Sequence, residues 1–169
     1  MQRPDKDEYP EFFARYINRV AENDLSAAFE SQARSFPPLL ESISEEKSKY
    51  AYAEGKWTIR ELIQHIIDTE RIFNYRALAI ARGETVSLPS FDENSYAVNS
   101  DANARSWSGL KDEFSRLRAS TRDLYNSFND HMLAQRGLAN NHPISVLSLG
   151  FTTVGHISHH KIVLEEKYL

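Results

Sequence analysis

The chain has 169 residues, 20 Lys and Arg against 24 Asp and Glu, a formal net charge of −4 and no cysteine. Disulfides, thiolate metal sites and cysteine nucleophiles are excluded, and the basic residues are scattered through mixed-sign runs such as Glu45-Glu46-Lys47-Ser48-Lys49, which leaves no nucleic-acid footprint. The length suits a single domain over residues 1–169 that buries roughly 70% of its unfolded surface. No stretch reaches the roughly 18 apolar residues of a membrane span, and the opening from Met1 to Glu8 is charged with no apolar signal core, so a cytoplasmic protein is expected.

Ala, Leu, Glu and Arg at helical spacing, with only six glycines, favour an all-α domain. In the first amphipathic stretch, about 11–22, Phe12, Phe13, Tyr16, Ile17 and Val20 fall largely on one face and predict a short helix. A second helix is expected over about 26–43, where Phe29, Gln32, Phe36, Leu39, Leu40 and Ile43 keep a period near 3.6; Pro37-Pro38 should kink or restart it. Thr58-Ile59-Arg60-Glu61 is a capping box, and the helix it opens should run to about Arg82, with Gly83 as a left-handed C-terminal cap. On it, Leu62, His65, Thr69, Ile72 and Arg76 form a stripe beside the apolar one of Ile59, Ile63, Ile66, Phe73 and Ala77.

Residues 84–104 show no sustained period and read as a long connection, of the kind that often covers a site. A further helix over about 106–128 carries Leu110, Phe114, Leu117, Thr121, Leu124 and Phe128. After a polar turn around Gly137 to Pro143, the last helix begins near Ser145 with Val146, Leu149, Thr153, His156, His160, Val163 and Leu164 on its inward stripe. Four main helices with a short additional N-terminal helix predict a four-helix bundle with ligands projecting from facing helices.

The chemistry is concentrated in Gly155-His156-Ile157-Ser158-His159-His160, which holds three of the six histidines. His156 and His160 are four apart, so on a helix their rings stack roughly 5–6 Å apart at Cβ and can close on one metal ion, although an ion needs a third protein ligand. The competing reading is a pair of core histidines satisfied by hydrogen bonds. His159 falls on a different stripe from His156 and His160, beside the site or at the surface, and is the alternative ligand. His65, taken alone, reads as an interior histidine bonded to a carbonyl or carboxylate. Asp68, three residues on, and Glu61, four before, are candidates to receive its distal N–H or to supply an oxygen ligand, with a solvated helix face as the simpler reading for Glu61. His131 and His142 sit near the polar turn and carry no role; Trp57 and Trp107 read as packing anchors.

Trp57-Thr58-Ile59-Arg60-Glu61-Leu62-Ile63-Gln64-His65-Ile66-Ile67-Asp68-Thr69-Glu70, followed by Gly155-His156-Ile157-Ser158-His159-His160 and the closing Glu165-Glu166-Lys167-Tyr168-Leu169, resembles the DinB/YfiT-like family of metal-dependent enzymes. The resemblance spans most of the chain. It implies a four-helix bundle, commonly dimeric, with a divalent metal ion, zinc or nickel, on His65, His156 and His160. It also implies a small-molecule substrate. Family members include transferases acting on low-molecular-weight thiols such as bacillithiol or mycothiol, as well as isomerases and hydrolases.

Three neutral imidazoles leave an ion with open positions at which water or a thiol becomes a nucleophile near neutral pH. The expected function is thus a metal-dependent thiol S-transferase or hydrolase. A non-catalytic, metal-binding stress-response module is the alternative, and a purely structural helical protein is the third reading.

Overall fold

The structure, a computed structural model, describes residues 2–169. Its N-terminal segment turns twice as 3-10 helix before α1, Ala14–Ile17. The expected 11–22 helix is cut short because the Arg3 guanidinium donates to the carbonyls of Ile17 and Val20, capping the chain where further helical amides would otherwise bond. Helix α2, Leu25–Glu41, starts at Asp24, whose side chain accepts from the amide of Ala27. It continues through Pro37 and Pro38, so the expected restart is not seen. The two prolines remove the amides that would bond the carbonyls of Ala33 and Arg34, and those residues lie on the exposed face, where an unpaired carbonyl costs least. Phe36 and Leu40, buried on the other face, anchor the turn.

Helix α3, Ile59–Ala81, has the expected capping box: the Glu61 amide donates to Thr58 Oγ1 (3.2 Å) and the Thr58 amide to Glu61 Oε2 (2.7 Å). Gly83 ends it at φ 90°. The 84–104 connection is more ordered than its lack of period implied. Leu88 bridges to the chain at Ala139, Asp92 caps a short helix α4, Glu93–Asn99, and a 3-10 turn follows over Ala102–Ala104. Ser106 caps α5, Trp107–Asn126, and Asn129 caps α6, Asp130–Ala134.

The expected polar turn is a hairpin. Strands β1, Arg136–Ala139, and β2, His142–Ser145, pair antiparallel with Ala139 opposite His142. Asn140 (φ 51°) and Asn141 (φ 62°) occupy the left-handed region that a two-residue hairpin turn requires and that asparagine tolerates. Helix α7, Val146–Val163, follows at once from Ser145 and passes into a π-helical turn, Leu164–Tyr168.

Helix α7 packs against α1, α2 and α3, and α3 packs against α5. The expected single inward stripe on α7 understates its burial, since Val146 to Ile157 is buried without interruption. The reason is α1, which covers the side left open by the other long helices. One apolar cluster, with Phe13, Phe29, Phe73, Ile80 and Phe151, fills the hairpin end; another, with Phe36, Ile63, Ile66, Leu110 and Ile157, fills the opposite end. Polar residues mark the level between them: Thr69 and Glu70 on α3, Thr121 on α5 and His156 on α7. Among the described residues no helix is long and apolar enough to cross a membrane.

Candidate metal centre

His65 projects from α3, and His156 and His160 project from successive turns of α7. All three are buried, at 5%, 4% and 9% exposure. Their ligand atoms lie within 4.8 Å of one another, with His156 Nε2 3.1 Å from His65 Nε2 and 3.0 Å from His160 Nε2. These separations approach the value of about 3.3 Å expected between neighbouring nitrogens on a tetrahedral ion with bonds of 2.0–2.1 Å.

Burial drives all three away from the imidazolium form. His65 is lowered to about 4 by desolvation, with a smaller contribution from His159. His156 and His160 are held well below the ordinary histidine value by desolvation first and by neighbouring histidines second. A neutral imidazole carries one N–H and one lone pair, so His156 Nε2 has a single in-plane site to share with two neighbours. Hydrogen bonding cannot satisfy all three nitrogens. A cation receiving one lone pair from each does, and the donor set fits a divalent metal ion.

The surroundings orient the rings. Thr69 Oγ1 lies 3.5 Å from His65 Nδ1, at the outer limit of a hydrogen bond, and favours the tautomer that leaves Nε2 free. The Trp57 ring packs on His65 at 4.8 Å, and Tyr16 and Phe73 meet His156 edge-on at 5.2 and 6.0 Å. Helix α1 comes close enough to bring Tyr16 there because Gly155 has no side chain: a Cβ at that position would sit 2.1 Å from the Tyr16 carbonyl oxygen.

Asp68 does not orient His65. Its carboxylate accepts from Gln64 Nε2 at 2.9 Å and lies 3.7 Å from Arg71, because a three-residue step turns it toward α5 while the four-residue step to Thr69 stays on the histidine stripe. Glu61 is committed to the capping box. His159 stands outside the triad, half-buried, with its ring 5.0 Å from that of His160 and 5.5 Å from that of Tyr16. His131 and His142 are exposed, and Trp107 Nε1 donates to the Ile43 carbonyl as a packing anchor.

This division yields a prediction. Thr69→Val should weaken metal binding about tenfold with little change in fold, while Asp68→Asn leaves affinity within about twofold. Competition with a chromogenic chelator measures both, and the reverse ranking would return the orienting role to Asp68.

A family model described as the DinB superfamily matches residues 28–164. The chain belongs to the DinB superfamily. It is 32% identical over 62 residues to a protein of Oceanobacillus iheyensis that carries the name "Putative metal-dependent hydrolase OB0413"; the match covers 37% of this chain and 36% of that one. The fold is similar to that of YfiT from Bacillus subtilis, described as "a probable metal-dependent hydrolase with an unusual four-helix bundle topology", with a TM-score of 0.66, 19% identity, and coverage of 95% of this chain and 87% of that one.

In this DinB chain the triad is reached from two sides. A cavity of about 160 Å³ has His156 in its wall, together with Tyr16, Thr69, Phe73 and Arg76. A wider one of about 310 Å³ ends at His160 and is lined by Trp57, His159 and Tyr168. The 84–104 connection contributes to both linings, with Ser90, Phe91 and Glu93 at the first and Asn94 at the second. It is anchored by backbone bonds from the Leu88 amide to the Leu138 carbonyl and from the Asn140 amide to the Leu88 carbonyl. Sequence reasoning missed Tyr16 and Arg76 as cavity residues, although Arg76 falls on the same stripe as His65 and Thr69.

Proposed function

We propose that this protein is a metal-dependent hydrolase of small molecules, with His65, His156 and His160 holding a divalent zinc or nickel ion. The supporting observation is the convergence of three buried, neutral imidazoles, two of which, His156 and His160, line separate cavities. Such an ion supplies a nucleophile at neutral pH by lowering the pKa of water, and imidazole nitrogens suit both metals. The names of the Oceanobacillus and Bacillus relatives point the same way.

The chain's own groups prepare that chemistry. Thr69 Oγ1, 3.5 Å from His65 Nδ1, would accept a hydrogen bond from the Nδ1–H tautomer, the one that leaves the Nε2 lone pair free. Tyr16 keeps its phenolic proton because burial raises its pKa, and its oxygen accepts from Arg15 Nη2 at 2.7 Å, so the hydroxyl proton faces outward from that bond.

Metal analysis of untagged protein, followed by turnover of a panel of aryl esters and amides with and without chelator, tests the proposal. Stoichiometric metal and chelator-sensitive hydrolysis are expected. Turnover only in the presence of a low-molecular-weight thiol would replace hydrolysis by thiol transfer. Metal retention with neither activity would leave a binding module, and failure to take up zinc or nickel would sink the metal site itself.

A further inference from the structure

Two arginines of α3 are almost fully buried, and only one is neutralised. Arg60, at 2% exposure, ion-pairs with Glu45, donates from Nε to Ser48 Oγ at 2.8 Å, and also reaches the carbonyls of Glu45, Asn103 and Arg105. Arg76, at 5% exposure, makes one hydrogen bond among the described residues, from Nη2 to the Pro89 carbonyl at 2.6 Å, and its buried Nε has no partner. No carboxylate among the described residues lies within ion-pair distance of it. Arginine does not shed its proton in proteins, so a buried guanidinium in this state is a standing charge with donors to spare.

Arg76 lines the His156 cavity. Arg76 is seven residues beyond Thr69, roughly 10 Å along the helix, and helical side chains lean toward the N-terminus, which carries the guanidinium back toward Phe73 and the triad. Thr69, Arg76 and His156 all line the one cavity. Its other walls are largely aromatic, with Phe12, Phe13, Phe73 and Phe91. At about 160 Å³ it is comparable to an engineered cavity of roughly 150 Å³ that accepts benzene. The charged lining groups are Arg76, Arg15 and Glu93, and the last two are exposed.

We propose that the Arg76 guanidinium is the carboxylate anchor of the substrate site, and that the substrate is a small monocarboxylate with an aryl or similarly sized apolar body. A guanidinium carries paired N–H groups that match a carboxylate in two parallel hydrogen bonds, and the apolar walls take the body. The surplus of one positive charge in the lining suits a monoanion better than a phosphate dianion. The bond to be cleaved then lies at the His156 end, separated from the carboxylate by the ring or chain that fills the cavity. This assignment rests on the proposed function for its meaning as a substrate site, but Arg76 belongs to the protein with or without a metal ion.

The test is therefore binding rather than turnover, on untagged protein in metal-loaded and chelator-treated forms, with metal content measured separately. The probes are 3-phenylpropionate, its neutral amide 3-phenylpropanamide, and inorganic phosphate, titrated by calorimetry. Wild-type protein should bind the acid at least about tenfold more tightly than the amide, and Arg76→Gln should erase that difference. If Arg76 only pins Pro89, the variant weakens acid and amide alike and the acid preference survives, which overturns the proposal. Phosphate displacing the acid at equal concentration overturns the carboxylate assignment.

A second readout does not depend on the folding of the glutamine variant. The side-chain Nε–H resonance of Arg76, assigned by its disappearance in Arg76→Lys, should shift with the acid and not with the amide. No shift overturns the proposal. An acid preference that depends on Arg76, in protein that fails to take up zinc or nickel, would retain the anchor and reject the metal reading, so the two failures are distinguishable.

Discussion

His156→Ala is expected to abolish high-affinity metal binding and, with it, any metal-dependent turnover. The residue is the hub of the site: its Nε2 is the atom that lies within 3.1 Å of both other ring nitrogens, so its loss leaves two donors on different helices. A ligand that binds only the folded state stabilises it by about 4 kcal/mol at a free concentration a thousandfold above Kd. For a chain of this length that is about 8–16 °C in Tm. Calorimetry of wild type should show the shift on metal addition and lose it on chelation, whereas the variant should melt at one temperature in both conditions. A metal-dependent shift of wild-type size in the variant would remove His156 from the site.

The same burial sets the pH dependence of the metal-free protein. His65 titrates at about 4 when folded and near 6.5 when unfolded. Between these values the unfolded chain binds a proton that the folded chain refuses. Stability from this residue is fully present above pH 6.5 and is lost as pH falls toward 4, by about 3 kcal/mol in all. His156 and His160, lowered for the same reason, act in the same direction. Protons also compete with the ion for Nε2, so metal affinity falls along with stability. Chelated protein should therefore melt at a lower temperature at pH 5 than at pH 7.5, and equal melting temperatures would contradict neutral buried imidazoles.

Gly155→Ala should have the second large effect, on stability rather than on metal chemistry directly. The added Cβ would lie 2.1 Å from the Tyr16 carbonyl oxygen and 2.4 Å from its carbon, so relief requires moving the backbone of α1. Overpacking of this kind costs about 3 kcal/mol, or about 6–12 °C in Tm. Gly150→Ala is the matched control. Its nearest neighbours are the side chains of Leu25 and Tyr125, which can turn aside, and a loss of about 1 kcal/mol is expected. Because Tyr16 packs on His156, the Gly155 variant should also loosen the metal site. Equal melting temperatures for the two variants would show that α1 yields without strain.

Local features were the legible ones. The Thr58–Glu61 capping box, the Ser145 start of α7 and the four-residue spacing of His156 and His160 depend on contacts within a turn or two, and the structure reproduces them. The stripe of His65, Thr69 and Arg76 was equally readable, since helical periodicity alone puts them on one face. Less legible were Asp92, which caps a helix too short to show a period, and Asn140-Asn141, whose hairpin depends on two left-handed residues rather than on strand-like alternation.

Tertiary packing decided everything that joins residues distant in the chain. Periodicity places a side chain on a face, but the rotation and separation of the helices choose which face it meets. Residues 91 positions apart were brought to 3.1 Å by the packing of α3 on α7, with α1 pressed in through Gly155. His65–Thr69 and Gln64–Asp68 are four-residue contacts within α3, but the rotation of that helix decided that the first pair faces α7 while Arg71, beside Asp68, meets Glu113 of α5. It also buried Arg76 without a carboxylate while Arg60, four turns earlier on the same helix, found one. Pairing of buried charge is a property of the assembled core, where each lost hydration shell has to be replaced by a neighbour.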